Sequence, residues 1–312
     1  MSNSDELVNV KEASRLTVDE WREYTKTVWQ IANVTDPNHP AVFPEEIPHR
    51  LIKLFTFVGE TVLDPFAGVG TTAIAAVKLG RRAICIEQHK EYVRIMRERA
   101  FTSEAEFYEG DSRRMEFLKD NSISLIVTSP PYWNKADYGD EPENLGNIAG
   151  YARFFQEIQP AFEESYRVLA PGRKLCVVTA NVNQYTNFGL LTFPLAADFI
   201  TLTRKIGFLL VGEIIWSKDG TGGKWGSWGT QRPIFGSYPY PPNFYFKNVH
   251  EHILVFGKPP VGEKRGAKVK EFSELMSMES LQVERSVRNQ NKNNGGRDNG
   301  NGHSDKNLDQ TG

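Results

Sequence analysis

The sequence predicts an α/β fold, a mostly parallel sheet covered by helices on both faces. Three observations carry this. Short apolar runs alternate with amphipathic stretches from about residue 60 onward. A glycine-rich turn, LDPFAGVGTTA, joins the first of these runs to the first of these helices. A later run, ISLIVTS, stops at SPPYW, where two prolines without N–H groups cannot continue a central strand.

The elements follow in order. TVDEWREYTKTVWQI begins with Thr17 and has Glu20 three residues on, a capping-box pattern that predicts a helix over 17–31. HPAVFPEEIPHRLIKLF is a proline-punctuated loop leading into a short helix. Strands are expected at 60–66, 81–87, 105–111, 123–129, 173–181, 208–218 and 250–258. Helices are expected at 71–80, 90–100, 151–169 and 196–207, the third broken or bent at Pro160. Between the last two strands lies a long loop, about 219–249, rich in glycine, proline and aromatics. Residues 1–258 form the main domain, 259–288 a helical extension and 289–312 a polar, low-complexity tail expected to be disordered.

Composition narrows the class. In a 312-residue chain with 39% apolar and 24% charged residues, most of the sequence can bury a core. The formal net charge of -2 provides no global positive field, so any nucleic-acid surface has to be local. Residues 201–258 are such a region: Arg204, Lys205, Lys218, Lys224, Arg232, Lys247 and Lys258 stand against Glu213, Asp219 and Glu251. Cys85 and Cys176 lie in apolar runs and read as small buried hydrophobes. The start has no signal-peptide core, and no apolar run is long enough to cross a bilayer. These features together read as a soluble, cytoplasmic protein. No His, Cys or carboxylate set has metal-ligand spacing.

The glycine turn carries the first chemistry. Gly68 and Gly70 let the backbone turn tightly and approach a ligand, and Glu87 ends the second strand where a carboxylate accepts ribose hydroxyls. Asp64 would repel a pyrophosphate but pair with an ammonium group. A molecule with an adenosine end and an amino-acid end, S-adenosylmethionine, suits both carboxylates. Asp111 is placed for an adenine amino group, although a turn or cap aspartate has the same spacing.

The proline segment carries the second. The Ser129 hydroxyl and the Pro130 carbonyl can both accept hydrogen bonds from an exocyclic amino group. Such a group is a poor nucleophile, because its lone pair is conjugated into the ring. Proline fixes φ, so the carbonyl is held in place, and Tyr132 offers a face for a flipped base.

DPFAGVGTT and TSPPYW resemble the cofactor and catalytic motifs of the amino-group DNA methyltransferases, the cytosine-N4 and adenine-N6 enzymes. HPAVFP is similar to the family's outlying cofactor segment and NVHEHILVFGK to its closing strand, so the resemblance spans about 17–258. It implies a Rossmann-like, seven-stranded methyltransferase fold that binds S-adenosylmethionine. It implies cofactor contacts from Phe43, Pro44, Asp64, Phe66, Gly68, Gly70, Thr71, Thr72, Glu87 and Asp111, and catalysis by Ser129, Pro130, Pro131 and Tyr132. Serine before Pro-Pro-Tyr resembles the cytosine-N4 enzymes, whereas the motif order, cofactor before catalytic, is the reverse of many serine-type members. Adenine N6 is therefore the alternative target. Double-stranded DNA is the implied partner, and a restriction endonuclease acting on the same site is admitted. In the long loop, Lys224, Trp225, Trp228 and Arg232 are the implied DNA contacts, against the alternative of an aromatic cluster packed on the sheet. Three further readings stand beside this one: an RNA methyltransferase, a nicotinamide oxidoreductase using the glycine turn, and a non-catalytic DNA-binding protein.

Overall fold

The computed structural model describes residues 9–37, 42–99, 103–133, 145–218, 240, 246 and 248–260. The long loop, the C-terminal extension and the tail lie almost wholly outside them.

The elements in chain order are α1 (Val18–Tyr24), β1 (Val28–Gln30), α2 (Glu46–Phe55), β2 (Thr61–Asp64), α3 (Thr71–Lys78), β3 (Arg82–Glu87), α4 (Lys90–Arg99) and β4 (Ala105–Glu109). There follow β5 (Ile123–Thr128), α5 (Tyr151–Val168), β6 (Leu169–Thr179), β7 (Val182–Thr186), β8 (Gly189–Phe193), α6 (Leu195–Ile206), β9 (Leu209–Ser217) and β10 (His250–Gly257). Among the described residues the main sheet has eight strands in the order β1-β9-β10-β6-β5-β2-β3-β4. Only β10 runs antiparallel to its neighbours, β6 and β9.

The central strands are apolar because both of their faces are covered. Every residue of β2 is buried, as is nearly all of β5. One core layer holds Phe154, Phe155, Ile158 and Phe162 of α5 and Phe199 of α6 against the sheet. The other holds Ile47 and Leu51 of α2 and the alanines of α3. Cys85 and Cys176 are buried free thiols, and burial raises both pKa values.

Chain order and spatial order diverge around β2. From it the chain builds outward through β3 and β4, then returns to lay β5 on the other side. The carboxyl ends of β2 and β5 therefore flank a topological switch point, where open α/β sheets bind ligands.

Three expectations need correction. The helix expected over 17–31 stops at Tyr24, and Val28–Gln30 forms a strand paired in parallel with β9. Burying Trp29 in the sheet outweighs one more helical turn. The capping box itself is present, with Thr17 and Glu20 bonded reciprocally. Of the break or bend expected at Pro160, the break is absent, since α5 runs through it, held by its buried aromatic face. No element is marked by the sequence over 182–193, where β7 and β8 form a hairpin turning at Gly189 (φ 97°).

Candidate active site

The glycine turn is built around a buried carboxylate. Asp64, the last residue of β2, is 1% exposed. Its Oδ2 accepts from Thr72 Oγ1 (2.6 Å), and its Oδ1 accepts from Thr128 Oγ1 (2.8 Å) and the Phe66 N–H (3.1 Å). Burial pushes its pKa up to about 6, against the pull of those three hydrogen bonds. The sequence suggested that this carboxylate would meet an ammonium group. In the structure it joins β2, the start of α3 and the end of β5.

The turn itself needs its glycines. Gly68 and Gly70 have φ of 53° and 87°, and Gly70 lies directly before α3. A Cβ on Gly70 would lie 2.8 Å from Met96 Cγ, so α4 packs there without room to spare. Glu87, at the end of β3, accepts from the Gly68 N–H and the His89 N–H, both at 2.8 Å. Burial pushes its pKa up to about 7, opposed by these backbone donors. A carboxylate has about four acceptor positions, so these backbone donors leave it capacity for a further one. A ribose hydroxyl could meet that capacity beside the glycine turn, and in this respect the crevice fits an adenosine-containing cofactor.

The other proposed cofactor residues lie close in the chain to these elements. Phe43 and Pro44 are buried just before α2, where Phe43 packs in the same core layer as Ala73 and Ala76 of α3. Phe66 packs on the opposite layer, and Thr71 opens α3. Asp111 forms a tight local turn: its Oδ1 accepts from the Arg113 N–H (2.9 Å), and its carboxylate is paired with the Arg113 guanidinium, which also reaches Glu157 (3.3 Å).

The candidate catalytic segment continues from β5, which pairs with β2 at Val62↔Leu125 and Leu63↔Ile126 and with β6 at Thr128↔Val177. Ser129 is half-buried, and Pro130 and Tyr132 are buried. Ser129 Oγ lies 3.3 Å from the Tyr132 hydroxyl, which donates to Glu251 Oε2 (2.8 Å). Glu251 in turn accepts from Lys218 Nζ (2.6 Å), and that ammonium lies 4.3 Å from the centre of the Trp216 ring. On the other side, the Trp133 indole N–H donates to the Ile148 carbonyl (2.9 Å), and its ring packs against Tyr151 and Phe193. Side-chain contacts thus hold the segment from β10 and from the α5–β8 layer, in addition to the backbone restraint of its prolines.

Glu251 and Lys218 were not singled out in the sequence except as charges in the balance of residues 201–258. The available signal was a carboxylate inside the apolar run HEHILVF. The structure also corrects that charge balance. Lys218 pairs with Glu251. Lys258 binds the Tyr166 and Leu169 carbonyls at the opposite end of the strands from Ser129. Arg204 and Lys205 occupy the last turn of α6, leading to the start of β9 at that same far end. Lys224, Trp225, Trp228, Arg232 and Lys247 lie outside the described residues.

The DNA methylase family matches residues 2–98 and 123–308. The chain belongs to that family. The DNA methylase family brings S-adenosylmethionine as cofactor. Among its relatives, the Type II methyltransferase M.MjaI of Methanocaldococcus jannaschii is 29% identical over 48% of this chain and 55% of its own length. The Type II methyltransferase M.BglI of Bacillus subtilis is 35% identical over 37% of this chain and 33% of its own. The chain therefore spans about half or less of these curated relatives. A DNA modification methylase of Thermus thermophilus, solved with S-adenosyl-L-methionine, is 33% identical over 51% of this chain and 57% of its own, with a TM-score of 0.36. Among the described residues, no helix is long and apolar enough to cross a membrane.

Proposed function

We propose that the chain methylates an exocyclic amino group of a base in double-stranded DNA, with cytosine N4 as the target. One observation carries the reading: Ser129-Pro130-Pro131-Tyr132 leaves β5 beside the glycine turn, with Thr128 hydrogen-bonded directly to Asp64 of that turn. Cofactor crevice and amino-group acceptors are thereby set by one buried contact.

When bound, S-adenosylmethionine supplies an electrophilic methyl group. The residues of the chain position the acceptor nitrogen. Ser129 Oγ and the Pro130 carbonyl accept its two N–H groups and turn its lone pair toward the crevice. The gain comes from orientation and from dipoles fixed before reaction. Tyr132 provides a stacking face for the flipped base. Tyr132 is 7% exposed, so its neighbours must move aside when a base enters. Lys224, Trp225, Trp228 and Arg232 in the long loop hold the DNA. An endonuclease recognising the same site fits this reading as a partner.

Adenine N6 is the second reading, favoured by the order of the two motifs. The experiment is direct. The protein is incubated with S-[methyl-³H]-adenosylmethionine and unmodified double-stranded DNA, and the DNA is digested to nucleosides. Label in N4-methylcytosine is the expected result. Label in N6-methyladenine would establish the second reading, and unlabelled DNA would overturn both.

A further inference from the structure

The geometry points to Glu251 as a positioning residue that sets the direction of the hydrogen bonds reaching Ser129, so that this hydroxyl presents lone pairs to the target amino group. The inference rests on the reading of the preceding subsection.

It follows from what each group can donate. A carboxylate is an acceptor only. Glu251 is 7% exposed, and its Oε1 is engaged by Lys218 Nζ at 2.6 Å. With that ammonium held on Oε1, the carboxylate Oε2 accepts from the Tyr132 hydroxyl at 2.8 Å. The phenolic proton is thus committed to Glu251, and the Tyr132 oxygen can offer only its lone pairs to Ser129. At 3.3 Å, Ser129 Oγ–H then donates to Tyr132. Its own proton is thereby turned away, and its lone pairs are left for an incoming N–H. A free hydroxyl would spend part of its time with its proton toward the nucleophile's lone pair, where it would oppose transfer. Lys218, Glu251, Tyr132 and Ser129 therefore form one polarised chain. It reaches the catalytic segment from β9 and β10, strands that precede and follow the long loop.

Glu251→Gln tests direction while keeping shape. Lys218 is a donor only, so it takes the new amide carbonyl and leaves the NH2 facing Tyr132. The phenol must then accept and send its proton to Ser129, reversing the chain. Single-turnover methyl transfer from S-adenosylmethionine to unmodified DNA should slow on the order of a hundredfold, while cofactor and DNA affinities hold. Adding Lys218→Met removes the ammonium that fixes the amide carbonyl, so the carbonyl can turn to Tyr132 and much of the rate should return. A residue acting only through packing would give no such rescue. Tyr132→Phe keeps the ring but cuts the chain. It should slow transfer, and Glu251→Gln should add almost nothing on that background.

A second readout needs no turnover. The tyrosine Fermi doublet in Raman difference spectra, parent minus Tyr132→Phe, should report a donating phenol in the parent and an accepting one in Glu251→Gln. The inference is overturned if the parent methylates DNA and either Glu251→Gln or Tyr132→Phe matches its single-turnover rate. It is also overturned if the two effects multiply as independent changes, or if the Raman signature is unchanged by Glu251→Gln. If Glu251→Gln does not fold, the Tyr132→Phe rate decides. A parent that transfers no methyl group to DNA defeats the functional reading instead, and the Raman comparison still tests the hydrogen-bond direction.

Discussion

Thr128 Oγ1 donates to Asp64 Oδ1 at 2.8 Å, joining the last residue of β5 to the last residue of β2 in the buried centre of the sheet. This bond connects the two motifs that the sequence marks separately. Thr128→Val keeps the shape and removes the donor. It should lower unfolding free energy by about 1–3 kcal/mol, measured by urea denaturation. Methyl transfer should fall as well, because the catalytic segment loses its tie to the glycine turn. Unchanged stability would mean that the Phe66 N–H and Thr72 satisfy Asp64 alone.

Acidity gives a second test. Burial raises Asp64 to about 6 and Glu87 to about 7, from ordinary values of 3.8 and 4.5. Between about pH 4 and 7 the folded protein holds protons that the unfolded chain has released. Their stabilising contribution is full below the ordinary values and is lost as pH rises through 6 and 7. Glu87→Gln should remove the upper part of this slope when urea midpoints are compared with the parent at each pH. Parallel curves for the two proteins would show that Glu87 titrates normally.

Gly70 has φ of 87°, and a Cβ there would press on Met96. Gly70→Ala should cost at least about 1 kcal/mol from the left-handed backbone alone, with the clash added. Thermal unfolding reads the loss, and equilibrium dialysis with S-adenosylmethionine should show weaker binding. A variant as stable as the parent would show that α4 yields easily at this contact.

Ser129→Ala removes one acceptor for the amino group and leaves the glycine turn intact. Single-turnover methyl transfer should fall roughly a hundred- to thousandfold with cofactor affinity unchanged. Transfer at the parental rate would end the catalytic assignment of this segment.

Changing both Lys224 and Arg232 to Ala should weaken DNA binding and reduce its salt slope by up to about two. Cofactor binding should be untouched. An unaltered slope would favour an aromatic cluster packed on the sheet over a phosphate-binding loop.

Much of this architecture was legible from the order of residues alone. Apolar runs buried on both faces announce parallel strands, because no polar alternation is needed where both sides are dry. The left-handed turn at Gly68 and Gly70 and the stop at Pro130-Pro131 are local constraints, written in the residues that obey them. β1 was not legible, since Val28, Trp29 and Gln30 become a strand only because β9 provides a partner and the sheet a pocket for Trp29. Nor was the passage of α5 through Pro160, where a buried aromatic face outweighs a local penalty. The roles of Lys218 and Glu251 were hidden for the same reason. In sequence they are two surface-type charges, 119 positions from Tyr132 in the case of Glu251. Only the antiparallel return of β10 between β6 and β9 brings that carboxylate to the phenol. Local backbone chemistry is decided by neighbours in the chain, whereas the partner of a buried charge is decided by which strands the sheet sets side by side.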